Sequence, residues 1–95
     1  MINKIKVTAK INKAIEEIDH AILSNDKVIL SVTSEEQLKA FKLTFNNVLE
    51  IINSDRLPSK SERSMGIARI IIDQWPYNIQ LGISIIDAEN AFKEL

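Results

Sequence analysis

The sequence predicts an all-α fold, and three observations lead to this prediction. Apolar residues recur three or four positions apart in four separate segments of the chain. Polar stretches or proline separate these segments, and the connections are short. Hydrophobic residues make up 45% of the 95 positions and the formal net charge is -1, a balance typical of a folded domain. We therefore expect a single helical domain over residues 1–95, a compact or an orthogonal four-helix bundle.

The first helical segment has the most regular apolar spacing. Its isoleucines lie four, three and four residues apart, which places them on one stripe of an α-helix. Thr8 can act as the N-cap, and residues 5–7 fit either the helix or a short extended lead-in. We expect the helix to end near residues 24–26. The stripe consists of Ile11, Ile15, Ile18 and Ile22.

Residues 27–32 are too few for periodicity to distinguish a helix from a strand. Val28, Ile29 and Val32 are β-branched, which favours a strand, but a single strand needs a partner. We interpret the segment as one helical turn or a buried linker. The alternative is an α+β fold in which residues 27–33 pair with residues 2–8 as a short two-stranded element.

The second long helix has a clear start signal. Thr33 and Ser34 offer hydroxyl caps, and Gln37 follows after two carboxylates, which the helix dipole favours in a first turn. A polar stretch at residues 53–60, which contains Pro58, ends the helix. Its apolar stripe consists of Leu38, Phe41, Phe45, Val48, Leu49 and Ile52.

Two further helices are predicted towards the C-terminus. The third follows a cap at Ser61 and ends at Trp75, and the three consecutive isoleucines at residues 70–72 predict that it is the most buried of the four. Gly66 disfavours helix, so we expect it to serve close helix packing. Asn78 can cap the fourth helix. The stripe of this last helix consists of Leu81, Ile85, Ala88, Phe92 and Leu95.

The sequence contains few of the residues that catalysis requires. It has no cysteine, which excludes disulfides, thiolate metal sites and a cysteine nucleophile, and its one histidine, His20, falls off the apolar stripe beside Glu16. We find no phosphate-binding loop, nucleophile elbow or dinucleotide fingerprint. We therefore predict that the protein is not an enzyme and uses no metal or cofactor. A membrane span and a secretory leader are also not found, so we expect a cytoplasmic location.

The charges are separated along the chain. The first 13 residues contain four lysines and no carboxylate, whereas residues 70–95 contain four carboxylates and one lysine. Aromatic side chains anchor protein partners, and carboxylates steer basic ones. We therefore predict a partner-binding surface made of Asp73, Trp75, Tyr77, Asp87 and Glu89. The alternative is that Trp75 closes the end of the bundle and that the acidic residues serve solubility.

A family resemblance rests on the C-terminal part of the chain. Residues 64–77 read SMGIARIIIDQWPY and are followed by Leu81-Gly82 and by IDAENAF at residues 86–92. This pattern, within residues 33–95, resembles small bacterial immunity proteins, which accompany secreted or contact-delivered toxins such as those of contact-dependent growth inhibition. The resemblance implies a cytoplasmic protein that binds one cognate toxin domain, often a nuclease, and blocks its active site. Because nuclease toxins are usually basic, an acidic surface would complement them.

Two other functions are compatible with the sequence. A basic N-terminal group could bind nucleic acid in a small regulator, although the slightly acidic chain makes nucleic acid the less favoured partner. Leu43 and Ile51 lie off the stripe of the second helix and offer a contact for a self-associating accessory subunit. We expect a monomer or a weak homodimer. The basic group consists of Lys4, Lys6, Lys10 and Lys13.

Overall fold

Five α-helices and one 3₁₀ turn form the regular structure in a computed structural model, which describes residues 3–95. The all-α prediction is confirmed. The α+β alternative is wrong, because residues 4–8 and 27–30 are helical, while residue 2 of the proposed strand lies outside the described residues. The elements are α1 (Lys4–Leu23), α2 (Lys27–Leu30), α3 (Glu35–Asn53), the 3₁₀ turn (Lys60–Glu62), α4 (Ile67–Gln74) and α5 (Gln80–Glu94).

Helix α1 lies between α3 and α5, and α4 packs on the other side of α5. Small side chains are buried on both α1 and α5, which allows two helix axes to approach closely. This explains why Ala14 and Ala21 are buried, whereas the predicted stripe residues Ile15 and Ile22 are only partly buried. The buried residues of α1 are Val7, Ile11, Ala14, Ile18 and Ala21.

Short polar side chains define the starts of the first three helices. Ser34 accepts a hydrogen bond from the backbone N–H of Gln37 at 3.0 Å, as the sequence predicts. Asp26 caps α2 in the same way, which explains why residues 27–30 form a helical turn. Asn3 caps α1, so this helix begins earlier than the predicted cap at Thr8.

Helices α1 and α3 end in the same manner. Asn25 and Asp55 each follow a serine C-cap and adopt positive φ angles of 53° and 55°. The backbone N–H groups of Asn25 and Asp55, and those of the residues that follow them, donate hydrogen bonds to carbonyls of the last helical turn, as in a Schellman motif. Asn and Asp tolerate this left-handed conformation better than most residues. This explains why both helices end within the polar segments that the sequence predicts as their ends.

The segment before α4 differs from the prediction. Ser61 does not start a helix but lies in the 3₁₀ turn, and a loop follows in which the buried Arg63 donates from Nε to the Pro58 carbonyl at 2.8 Å. Helix α4 begins only at Ile67 because Gly66, its N-cap, has a φ of 77°. A Cβ on Gly66 would meet no heavy atom within 4 Å, so backbone conformation, not close packing, requires this glycine.

Close packing requires the other glycine. A Cβ on Gly82 would lie 3.1 Å from Ile71 Cγ2 and 3.2 Å from Trp75 Cε3, so α5 approaches the end of α4 closely at this point. The predicted cap at Asn78 is also not formed, because α5 begins at Gln80 with Ile79 as its N-cap.

Helix α4 is not the most buried helix, contrary to the prediction. It packs mainly on α5 at the edge of the bundle, so only one of its faces is covered. Ile71 is buried, but its neighbour Ile72 is 67% exposed. Helix α5 has more than half of its residues buried, because α1 and α4 flank it on opposite sides.

We expect Gly66→Ala to lower the free energy of unfolding by about 1–2 kcal/mol, because an L-residue in the left-handed conformation is strained. Gly66→Asn should cost less, since Asn tolerates this conformation. Urea denaturation of the three proteins measures both effects. Equal stability of Gly66→Ala and the parent protein would contradict the conformational role of this glycine.

Candidate protein-binding surface

An apolar groove opens between the C-terminal end of α4 and the N-terminal half of α5. Its volume is about 340 Å³, and every side chain that lines it is apolar or aromatic. Three of these side chains are strongly exposed: Tyr77 at 95%, Ile72 at 67% and Ile83 at 48%. The lining includes Ile72, Trp75, Tyr77, Ile79, Ile83 and Ile86.

The local sequence explains how the groove forms. The absence of a side chain at Gly82 lets α5 lie against Trp75 and Ile71, which gives the groove its floor. Pro76 follows directly after the last turn of α4, and the chain turns there, which leaves Tyr77 in solvent. Ile72 follows the buried Ile71 and therefore points away from the core.

Two of the predicted acidic residues are exposed and adjacent in sequence to residues that line the groove, although neither lines the groove itself. Asp73 follows Ile72, and its Oδ2 lies 3.8 Å from Nε of Arg69, a contact between two exposed side chains. Asp87 follows Ile86, and its Oδ2 lies 2.5 Å from Nζ of Lys10 on α1. Both carboxylates are more than half exposed, so they remain accessible to a partner.

Trp75 is a core residue and not an exposed part of the predicted surface, in agreement with the alternative interpretation of this residue. It is only 6% exposed, and its ring lies 6.5 Å from the ring of Phe41 on α3, centroid to centroid, at an angle of 43°. Its ring forms part of the floor of the groove. Because the side chain is buried, it does not protrude from the surface as an interface anchor would. Its Nε1 is buried, and among residues 3–95 no hydrogen-bond acceptor lies within reach of it.

Glu89 does not belong to the predicted surface, because its side chain is only 1% exposed. Its Oε1 accepts the backbone N–H groups of Ile67 at 3.0 Å and Ala68 at 2.8 Å, and its Oε2 accepts that of Met65 at 3.3 Å. It thus caps α4, whose N-cap glycine has no side chain for this task. Lys93 Nζ lies 3.6 Å from Oε2 and partly balances the buried charge.

A signal for the burial of Glu89 is present in the sequence. Glu89 lies four residues after Ile85 and three before Phe92, so helical spacing places it on the same face as these two core residues. A carboxylate on a buried stripe requires hydrogen-bond donors nearby. The spacing therefore indicates burial, but not which backbone groups supply the donors.

The basic N-terminal group is divided between different neighbours. Lys4 forms an ion pair with Asp55 after α3, and Lys10 pairs with Asp87 on α5. Lys6 and Lys13 form no ion pair within the part of the chain that the structure describes. The four ammonium groups therefore do not form one unopposed cationic surface.

The single histidine lies at the surface, as predicted. His20 borders a second opening of about 290 Å³, together with Glu16, Glu17 and Asp26. Among residues 3–95, no group of three or more His, Asp or Glu side chains has an arrangement that would hold a metal ion. In the same described range, no helix is long and apolar enough to cross a membrane.

Comparisons with known proteins provide no relative from which residue roles could be transferred. No protein-family model matches the chain, and a search of curated proteins returns no significant match.

We expect Glu89→Ala to lower the free energy of unfolding by about 1–3 kcal/mol, because it leaves buried N–H groups at the start of α4 without an acceptor. Glu89→Gln keeps one carbonyl acceptor and should lose less. The matched control is Glu94→Ala on the exposed side of α5, which should change stability by no more than about 0.5 kcal/mol. Equal urea midpoints for Glu89→Ala and Glu94→Ala would contradict the capping role.

Proposed function

We propose that this protein is a non-enzymatic binding protein that neutralises a cognate protein toxin, in the manner of a bacterial immunity protein. The observation that carries the proposal is the groove with its three exposed side chains, Ile72, Tyr77 and Ile83. Exposed apolar residues are common singly, but a contiguous exposed cluster is typical of an interaction site.

The composition of the groove supports a protein partner. Tyr77 presents a large, rigid surface with a hydroxyl at its tip, the kind of side chain that often contributes most of the binding energy in protein interfaces. Its neighbours Ile72 and Ile83 offer apolar contact area on both walls. A partner that buries this groove would remove apolar surface from water, which is the main favourable contribution to association.

The charges beside the groove support a basic partner. Asp73 is exposed and makes only a 3.8 Å contact with Arg69, so its charge remains available to a basic partner. Asp87 is also exposed, but its pairing with Lys10 at 2.5 Å makes its contribution smaller. Carboxylates at the edge of an interface attract a positively charged protein and increase its association rate. A nuclease toxin fits this requirement, because an enzyme that binds phosphates is usually basic. In the proposed mechanism, the bound protein covers the active site of the toxin in the cytoplasm.

Co-expression tests the proposal at the level of the cell. The partner to be tested is the product of the reading frame immediately upstream of the gene. We expect that product to be toxic alone, harmless when co-expressed with this protein, and recovered with it as a stoichiometric complex. A neighbouring toxin whose activity is unaffected by this protein would contradict the proposed pairing.

We expect Ile83→Asp to weaken the complex by at least about tenfold, because it places a carboxylate in an apolar contact. The matched control is Leu43→Asp on α3, which introduces the same charge at another exposed apolar position that does not line the groove. Isothermal titration calorimetry measures both affinities. A larger loss for Leu43→Asp than for Ile83→Asp would instead place the contact on the α3 face.

We expect the double variant Asp73→Lys, Asp87→Lys to slow association by about tenfold or more at low salt, with a smaller effect at high salt. Both side chains are exposed, so the fold should be retained. Stopped-flow binding measures the rate, and the double variant Glu36→Lys, Glu50→Lys at two exposed positions of α3 is the charge-matched control. An unchanged association rate in the double variant would exclude these carboxylates from steering.

A further inference from the structure

A second, polar pocket adjoins the apolar groove on the other side of Ile83. It lies where α1 packs against α5 and has a volume of about 180 Å³, enough for a small functional group rather than a large ligand. Ile83 lines both the groove and this pocket, so the two openings are separated by one side chain. The pocket is lined by Lys10, Lys13, Gln80, Ile83, Ser84 and Asp87.

Ser84 is the unusual residue of this pocket. It is only 7% exposed, and among residues 3–95 its Oγ has no hydrogen-bond partner. Nearly all buried polar groups in proteins are paired, because an unpaired hydroxyl that has lost its water is unfavourable. Because Ser84 lines the pocket, an acceptor that enters the pocket and reaches this buried hydroxyl would satisfy it.

The charged groups of the pocket favour an anion. Lys10 is already paired with Asp87 at 2.5 Å, whereas Lys13 forms no ion pair with any carboxylate of residues 3–95. The pocket thus has two ammonium groups against one carboxylate, which leaves one positive charge unbalanced. Lys13, Ser84 and the amide of Gln80 can all donate hydrogen bonds. A group with one negative charge and two acceptor oxygens matches these donors.

We propose that this pocket binds a carboxylate of the protein partner, the side chain of an Asp or Glu that lies beside the apolar residue in the groove. The inference rests on the proposed function and specifies the chemistry of the partner. One carboxylate oxygen accepts a hydrogen bond from the Lys13 ammonium and the other from the Ser84 hydroxyl. A partner that is basic overall then carries one acidic residue next to its apolar anchor, which gives the interface its specificity.

A small carboxylate tests the pocket without the partner. The ¹⁵N-labelled full chain is titrated with sodium acetate at constant ionic strength, with sodium chloride as the reference salt. We expect saturable shifts of the amide signals of Lys13, Gln80 and Ser84 with acetate and not with chloride. Both Lys13→Gln and Ser84→Ala should reduce this binding, whereas Lys6→Gln, on the same helix but outside the pocket, should not. Shifts that are linear in acetate, or unchanged in both pocket variants, would overturn the proposal.

The partner complex distinguishes this inference from the proposed function. We expect Lys13→Gln to weaken the complex by about fivefold or more and Lys6→Gln to leave it unchanged. If Ile83→Asp weakens the complex but Lys13→Gln does not, the carboxylate pocket is wrong and the proposed function stands. If acetate binds while Lys13→Gln leaves the complex intact, the pocket takes a free carboxylate and the inference is also wrong. If neither Ile83→Asp nor Lys13→Gln affects binding, the groove itself is not the interface.

Discussion

The buried carboxylate of Glu89 determines where α4 lies, and the shape of the groove depends on it. Helix α4 has only eight residues, too few to be stable by itself, and its N-cap is a glycine without a side chain. Three backbone N–H groups at its start are satisfied by a carboxylate that belongs to α5. Because α4 is held in this way at one end, its other end places Ile71 and Trp75 against Gly82 of α5, where they form the floor of the groove.

Helix α5 contributes to the core with one half and to the proposed binding surface with the other. Its second half carries Glu89 and closes the core, whereas its first half contributes Gly82 to the floor of the groove and Ile83 to its edge. The polar pocket uses the same first half, through Gln80 and Ser84. The side of the protein that we propose for binding is thus built on the helix with the most buried residues, which keeps the surface in a fixed conformation.

The helices could be predicted from the sequence because their causes are local. Apolar spacing and the Ser34 cap depend on residues within a few positions of one another, and both predictions are confirmed. The role of Glu89 could not be predicted, because its hydrogen bonds join residues more than 20 positions apart. The sequence leaves two interpretations of Trp75 open, and its burial against Phe41 of a distant helix decides in favour of the core. The conformational role of Gly66 could not be predicted either, because the sign of a φ angle cannot be read from a sequence.

Hydrogen–deuterium exchange tests the proposed binding surface most directly. Exchange is measured on the protein alone and on the protein saturated with the toxin obtained by co-expression. We expect slower exchange in the complex for peptides that cover residues 70–87, which line the groove and one side of the polar pocket, with little change on the outer face of α3. Protection confined to α3 or to the first turns of α1, with residues 70–87 unaffected, would contradict the proposed surface.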